Sequence, residues 1–128
     1  MAFRNMYQAL VIAGFVGAML TACGEQQSGG DPGVTDTEIK IGNIMPYSGP
    51  ASAYGVIGKT EEAYFRKINA EGGINGRKIN FVSYDDAYSP PKTVEQARKL
   101  VESDEVLLIF NSLGTPANTA IQKYMNSK

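Results

Sequence analysis

Residues 106–110 read Val-Leu-Leu-Ile-Phe, a run of five apolar side chains with no polar residue among them. A continuous apolar run of this length is typical of a strand that is buried on both faces, as at the centre of a parallel sheet. Two earlier segments, 39–45 and 78–84, are rich in β-branched or aromatic residues, and Pro46 ends the first of them. The sequence therefore predicts three strands, of which the last is central.

Helical patterns separate and follow these strands. Apolar residues recur at helical spacing over residues 52–70. Pro90 and Pro91 suit the first turn of a second helix, and Thr115 with Pro116 opens a third. The resulting β-α-β-α-β-α order predicts an α/β fold with right-handed crossovers, in which a parallel sheet carries helices on both faces.

The composition excludes several classes of function. A length of 128 residues allows one domain at most. Twelve Lys and Arg against 13 Asp and Glu give a net charge of -1, so no basic surface for nucleic acid is expected. The chain has no His, the commonest general base and metal ligand, and its one Cys cannot form an internal disulfide. We therefore expect no metal, no cofactor and no nucleic-acid partner.

The amino-terminal segment has the architecture of an export signal. Residues 1–22 carry one charge, Arg4, then an apolar run over 9–20 and the small residues before Cys23. The run has 12 residues, whereas a membrane-spanning helix needs roughly 20. The junction at Cys23 resembles a bacterial lipobox, which predicts cleavage before this cysteine and acylation of its thiol. The alternative is a buried structural cysteine after an apolar helix.

The segment after the cysteine predicts a spacer. Residues 23–37 contain Gly, Pro, Ser, Gln and Asp with Val34 as their single aliphatic residue, so we expect a flexible tether. The folded part is expected over residues 38–128. Export followed by acylation would hold it on the outer side of the cell membrane through a lipid anchor.

A parallel sheet places ligands at the carboxyl ends of its strands, which here are the loops near 46–54, 84–89 and 111–115. In the last loop, Ser112 and Thr115 bring hydroxyls to a predicted helix start, whose free N–H groups favour a carboxylate or a phosphate. The alternative is that Thr115 caps the helix and Ser112 turns the chain. A serine nucleophile is disfavoured, because the chain has no histidine to activate it.

The other two loops carry weaker candidates. Asp85 and Asp86 stand where a dinucleotide-binding fold has a ribose-binding acid, but no Gly-x-Gly-x-x-Gly follows the first strand. We interpret them as turn-forming residues before Pro90, with a metal or acid–base pair as the alternative. Tyr54 could cover a ligand or pack into the core, and its position by itself favours packing.

Six segments together carry a resemblance to a known family. They are IG at 41–42, PYSGP at 46–50, YG at 54–55, INAEGGINGRKI at 68–79, YDD at 84–86 and NSLGT at 111–115. In this order and spacing, behind a lipoprotein signal, they resemble the substrate-binding proteins of ABC transporters, of the leucine/isoleucine/valine-binding (type I periplasmic binding protein) group. The resemblance implies two Rossmann-like lobes that close on a small ligand, often an amino acid.

The resemblance also implies site residues. The hydroxyl and amide groups of Ser112, Leu113, Gly114 and Thr115 would hold the ligand carboxylate, and Tyr54 matches an aromatic residue that contacts the ligand in some members. Some relatives have a disulfide between the positions that match Tyr88 and Asn111. Neither residue is a cysteine here, so this disulfide is absent.

The length departs from the family. A two-lobed binder needs roughly 200 to 400 residues, so residues 38–128 are expected to be part of a first lobe. The implied function is a non-enzymatic extracytoplasmic receptor that passes a small carboxylate-bearing solute, a branched-chain or related amino acid, to ABC permease subunits. Two alternatives are a sensory module of the same fold that feeds a signalling partner, and an enzyme that uses Asp85 and Asp86.

Overall fold

The computed structural model describes residues 30–128. Its elements are, in chain order, β1 (Glu38–Met45), a short 3-10 helix (Ser52–Tyr54), α1 (Gly55–Ala70), β2 (Lys78–Asp85), α2 (Pro90–Glu102) and α3 (Thr115–Met125). The predicted strands and helices are found within a few residues of their expected bounds, except for the last strand. The predicted signal segment, Cys23 and the first part of the tether lie outside the described residues.

The two strands form a parallel sheet, as predicted. Their register runs without a bulge from Glu38 beside Lys78 to Met45 beside Asp85. Helix α1 makes the crossover between them and stops where glycines with positive φ, Gly72 among them, redirect the chain. The α/β class and the parallel pairing are therefore confirmed, and both strands end at the same edge of the sheet.

The prediction of a doubly buried third strand is wrong for the described chain. Residues 106–110 do run parallel to β1, and the Gly42 N–H donates to Leu108 O at 2.9 Å while the Phe110 N–H donates to Gly42 O at 2.7 Å. The pairing is nevertheless reduced to a single bridge at Ile109. The outer side of the segment has no neighbour among the described residues, and Leu108 is 45% exposed.

Helices cover both faces of the sheet, which confirms that prediction. On one face α1 brings Phe65 against Phe81 of β2 and against Phe110, with ring centroids 5.2 and 5.9 Å apart. On the other face α2 and α3 enclose the core, whose buried members are Ile44, Ala97, Leu100, Val106 and Ile121. Full burial of each large aliphatic side chain contributes about 1.5 to 3 kcal/mol, so this cluster is the main source of stability.

The end of the predicted tether is held against the domain. Val34 bridges to Ile39, and the Lys40 N–H donates to Gly33 O at 2.7 Å. The backbone at Gly33 has a φ of 72° and lies so close to Leu107 N that a side chain there would collide with it. Residues 31–37 therefore add a turn before β1. Within residues 30–128, no helix has the length and apolar character needed to cross a bilayer.

Candidate ligand-binding site

The loop after β1 is fastened to the end of β2 by one carboxylate. Asp85 Oδ1 accepts hydrogen bonds from the N–H groups of Tyr47 (2.9 Å), Ser48 (3.1 Å) and Ala87 (2.9 Å). Its Oδ2 accepts the Ser48 hydroxyl at 2.5 Å. Partial burial acts to raise the pKa of Asp85, but the hydrogen bonds from Ser48, Ala87 and Tyr47 outweigh it and leave the pKa below its usual value.

The second acid of the pair is fully buried and forms the next turn. Asp86 accepts the Tyr88 N–H at 2.8 Å and the Thr93 hydroxyl at 2.6 Å. These contacts hold Ala87 and Tyr88 at φ values of 50° and 59°, a left-handed conformation that costs free energy for residues other than glycine. The turn-forming interpretation of the two acids agrees with this geometry, since both accept hydrogen bonds from the turn that follows them.

This turn touches both neighbouring loops. A Cβ on Gly49 would lie 2.8 Å from Ala87 O, and one on Gly114 would lie 2.7 Å from Cε2 of Tyr88. The two glycines thus allow the first and third loops to approach the turn closely, one at Ala87 and the other at Tyr88. All three predicted ligand loops meet at one edge of the sheet. The Tyr88 ring lies beside Gly114, whereas the Asn111 amide donates to Glu61.

The third loop is attached to β1 at one end and to α3 at the other. The Leu113 N–H donates to Ile44 O at 3.1 Å. The Asn118 side chain donates to Ser112 O at 2.9 Å. Gly114 occupies the N-cap position of α3 and no side chain caps the helix, so the alternative in which Thr115 is the cap is wrong. Asn118 was not predicted as a site residue, since its role depends on the loop folding back onto α3.

The first turn of α3 leaves backbone donors available. Pro116 has no N–H group, and the Asn118 N–H donates to Gly114 O at 2.9 Å. Thr115 and Ala117 therefore contribute the N–H groups that have no intrahelical acceptor. Such groups at the positive end of a helix dipole favour an anion.

The Ser112 hydroxyl is the exceptional polar group of the loop. Its Oγ is buried, and it has no hydrogen-bond partner among the described residues. A buried polar atom without a partner costs about 1 to 3 kcal/mol, so it requires an explanation. Ser112 also lines a cavity of about 340 Å³, whose other walls are Ile109, Asn118, Ile121, Gln122 and Met125. This volume lies at the lower end of the range for small-molecule sites.

Tyr54 lies at the same edge of the sheet but outside the core. It closes the short 3-10 helix before α1, and 58% of its surface is exposed. The interpretation that it packs into the core is therefore wrong, and the ligand contact implied by the resemblance stays a prediction. Its ring is available to a ligand or to another part of the protein.

A buried polar network beneath the loops was not predicted. The fully buried Asn43 of β1 accepts the Ser83 hydroxyl at 2.6 Å, and the Ser83 oxygen lies 2.5 Å from the Tyr47 hydroxyl. Burial raises the pKa of Tyr47; the Ser83 hydrogen bond opposes this, and the nearby carboxylates add to it. Alternation along the strand could have indicated that Asn43 faces inward, but not which groups it meets.

Acidic residues do not gather into a cation site in the described part of the chain. Residues 30–128 contain no group of three or more His, Cys, Asp or Glu side chains that could hold a metal ion. The polar groups observed in the Ser112 loop are hydroxyl and amide donors. Donors of this kind suit an anion or a polar neutral ligand.

Comparison with known proteins gives consistent results. A family model described as periplasmic binding protein matches residues 38–128. The leucine-, isoleucine-, valine-, threonine-, and alanine-binding protein of Pseudomonas aeruginosa is 33% identical over 121 residues, which cover 94% of this chain and 29% of the relative.

Two solved structures have similar folds. The fatty acid ABC transporter substrate-binding protein from Thermomonospora curvata matches with a TM-score of 0.67 and 32% identity, over 76% of this chain and 25% of that one. The branched-chain amino acid transporter substrate-binding protein from Streptococcus pneumoniae, solved with isoleucine, matches with a TM-score of 0.66 and 27% identity, over 71% and 26%.

These comparisons confirm the resemblance predicted from the sequence. All three proteins are named as binding proteins rather than enzymes. The chain spans less than a third of the length of each of them.

Proposed function

Because the chain belongs to the periplasmic binding protein family, we propose that it forms the carboxylate-holding side of a solute site in the receptor of an ABC importer. The solute is a small carboxylate-bearing molecule, a branched-chain or related amino acid. The receptor releases it to the permease subunits and carries out no chemical reaction on it. The ligand-binding residues are Ser112, Gly114 and Thr115, with Tyr54 as an aromatic neighbour, while Leu113 holds their loop in place.

The buried and unpartnered Ser112 hydroxyl is the observation that carries this proposal. A carboxylate oxygen would accept its hydrogen and remove the cost of leaving it unpaired. The Thr115 and Ala117 N–H groups supply further donors at the start of α3. Leu113 has a different part, because its N–H already donates to Ile44 O at 3.1 Å and so fixes the loop to β1.

The preference for an aliphatic amino acid rests on two supports. The named ligands of the similar proteins, which are amino acids with uncharged side chains and a fatty acid, share a carboxylate. In this chain the cavity beside Ser112 has three apolar walls, Ile109, Ile121 and Met125, which suit an aliphatic side chain. A relative that matches 94% of this chain is named for amino acids.

Titration of the purified protein with L-isoleucine, L-isoleucinamide and octanoate tests the proposal. The amide signals of Ser112, Gly114, Thr115 and Ala117 are followed by NMR, which detects dissociation constants of about 1 mM. We expect L-isoleucine to shift them and L-isoleucinamide, which has no carboxylate, to leave them unchanged. A response to octanoate equal to that of L-isoleucine would keep the carboxylate site and overturn the amino-acid assignment. Equal responses to isoleucine and its amide would overturn the carboxylate assignment.

We also propose that the receptor works on the outer side of the cell membrane and is anchored there through acylated Cys23. The order of one charge, an apolar run and small residues before Cys23 supports this. Labelled palmitate should enter the parent protein in cells and should not enter the Cys23→Ser variant. Equal labelling of both proteins would contradict lipid attachment at this residue.

A further inference from the structure

Asn111, the residue before Ser112, is held in an unusual backbone conformation. Its φ is 49°, in the left-handed region that asparagine tolerates better than most residues. This conformation turns the chain out of the 106–110 segment and sets the direction in which Ser112 starts. Whatever fixes Asn111 therefore also fixes the point from which the Ser112 side chain starts.

Two side chains from other elements hold Asn111. The Asn111 amide donates to Oε1 of Glu61 on α1. The buried amide of Asn43 on β1 donates to Phe110 O at 3.0 Å and to Asn111 O at 3.2 Å. The side chain and the carbonyl of Asn111 are thus fastened to a helix and to a strand, respectively.

Glu61 is placed to act through these amides. Its Oε2 lies 3.4 Å from Nδ2 of Asn43, and none of the ion pairs within residues 30–128 includes it. Its charge is therefore directed to amide donors, and hydrogen bonds to a charged acceptor are stronger than neutral ones. Glu61 lies about two turns along the helix that begins directly after Tyr54. One carboxylate thus links the helix behind Tyr54 to the residue before Ser112.

We propose that Glu61, Asn111 and Asn43 form a clamp that positions the Ser112 loop for its ligand. Glu61 and Asn111 are positioning residues, because they act on the site through the backbone of Ser112. This inference rests on the proposed carboxylate site. It adds that the affinity of the site is set partly by a hydrogen bond between α1 and the loop.

An exchange of donor and acceptor tests the clamp. Asn111→Asp replaces the amide by a carboxylate of the same shape, which places two acceptors against each other. Adding Glu61→Gln supplies an amide at the other position, so the hydrogen bond can form again with its direction reversed. The Glu61→Gln single variant keeps an acceptor oxygen for the Asn111 amide but loses the charge and the acceptor that faces Nδ2 of Asn43, so its effect should be intermediate.

Two readouts are followed for each variant. The first is hydrogen exchange of the Leu113 N–H in the ligand-free protein, since this group donates to Ile44 O only when the loop lies against β1. The second is the dissociation constant for L-isoleucine. Asn111→Asp should accelerate Leu113 exchange and weaken binding roughly ten-fold, the equivalent of about 1.4 kcal/mol. The double variant should restore both values.

A matched control separates positioning from general stability. Asn69 also ties α1 to the sheet, because its side chain donates to Ile79 O and accepts the Ile79 N–H, both at 2.7 Å. This contact lies at the opposite end of α1 from the loops. Asn69→Asp should lower the melting temperature and leave the L-isoleucine affinity unchanged. The protection of the Leu113 N–H from hydrogen exchange, relative to that of the rest of the domain, should also stay unchanged.

Different results would overturn the clamp and the proposed function. Unchanged Leu113 exchange in Asn111→Asp, or no recovery in the double variant, would overturn the clamp even when the parent binds L-isoleucine. A loss of affinity in Asn69→Asp equal to that in Asn111→Asp would also overturn it. No shift with L-isoleucine in the parent would overturn the proposed function and the ligand part of the clamp, while Leu113 exchange would still decide its structural part.

Discussion

The turn after β2 and the loop after residues 106–110 lie side by side at one edge of the sheet, and they use their buried polar groups differently. In the turn, buried Asp86 and the Thr93 hydroxyl satisfy each other, with a separation of 2.6 Å. In the loop, the Ser112 hydroxyl is buried without a partner. Residue type does not distinguish these cases, since both contain hydroxyls near a helix start. The difference is whether the chain itself completes the hydrogen bonds.

The largest loss of stability is expected from a substitution in the turn after β2, where the buried polar groups satisfy one another. Asp86→Ala leaves the Tyr88 N–H and the Thr93 hydroxyl without their charged acceptor, and it should lower the free energy of unfolding by about 3 kcal/mol. Urea denaturation measures this value. Asp86→Asn keeps one acceptor oxygen and should cost less. A free energy for Asp86→Ala within about 0.5 kcal/mol of the parent would show that the turn is not a structural anchor.

The second effect concerns the loop after residues 106–110, where the buried Ser112 hydroxyl has no partner. It should appear as a loss of ligand affinity rather than as a loss of stability. Ser112→Ala removes a buried hydroxyl that has no partner in the free protein, so the free energy of unfolding should not fall and should rise by up to about 1 to 3 kcal/mol. It also removes one hydrogen bond to a charged ligand, worth about 1.5 to 3 kcal/mol. The affinity for L-isoleucine should therefore fall roughly ten-fold to somewhat over a hundred-fold.

Thr93→Val is the matched control for Ser112→Ala, because it removes a buried hydroxyl whose hydrogen bonds are complete. It should lower the melting temperature and leave the affinity for L-isoleucine unchanged, because Ser112 still donates to the ligand. Calorimetric titration beside thermal melting gives both quantities. A lowered melting temperature with an unchanged dissociation constant in Ser112→Ala would return Ser112 to a structural role.

A third, smaller effect should come from the contact between the two regions. Gly114 has a φ of 111° and faces the Tyr88 ring, so Gly114→Ala adds backbone strain and displaces that ring, at a cost of about 1 to 2 kcal/mol. Gly76 has a φ of 82° and nothing within 4 Å of its missing side chain. Gly76→Ala therefore measures strain alone. Equal losses of stability in the two variants would show that the Tyr88 contact carries no energy.

Local sequence signals predicted most of the fold. The parallel sheet, the order of elements and the covering of both faces followed from apolar spacing and from Pro90, Pro91 and Pro116. The segment 106–110 was predicted as a doubly buried strand because five apolar residues indicate burial. Burial also needs a second neighbour, which depends on contacts far apart in sequence and which the described residues do not provide.

The position of the candidate loop was predictable from the sequence, but its contacts with other elements were not. Strand ends and the NSLGT segment located the loop, whereas the clamp from Glu61 and Asn43 joins residues 50 and 67 or 68 positions apart. No local pattern reports such pairings. The position of Tyr54 by itself favoured packing into the core, whereas the resemblance placed it beside the ligand; the residue closes a short 3-10 helix that leaves it at the surface.

The smallest predicted effect is a pH dependence of the turn. Asp85 has a pKa below its ordinary value of 3.8 in the folded chain. A carboxyl with a lowered folded-state pKa stabilises the fold above its unfolded pKa, and this contribution is lost as the pH falls through the folded value. The contribution should therefore be complete at pH 7 and should decrease below about pH 4.

Asp85→Asn tests this directly. Because Asp85 is exposed, its loss should cost less than about 1 kcal/mol at pH 7. The difference in unfolding free energy between the parent and Asp85→Asn should shrink as the pH is lowered from about 5 to 2 in a series of urea denaturations. Asp36→Asn changes the same charge on the exposed segment before β1 and serves as the control. A difference for Asp85→Asn that stays constant over this range would mean that the Asp85 charge does not hold the first loop to the turn, and that the neutral hydrogen bonds are sufficient.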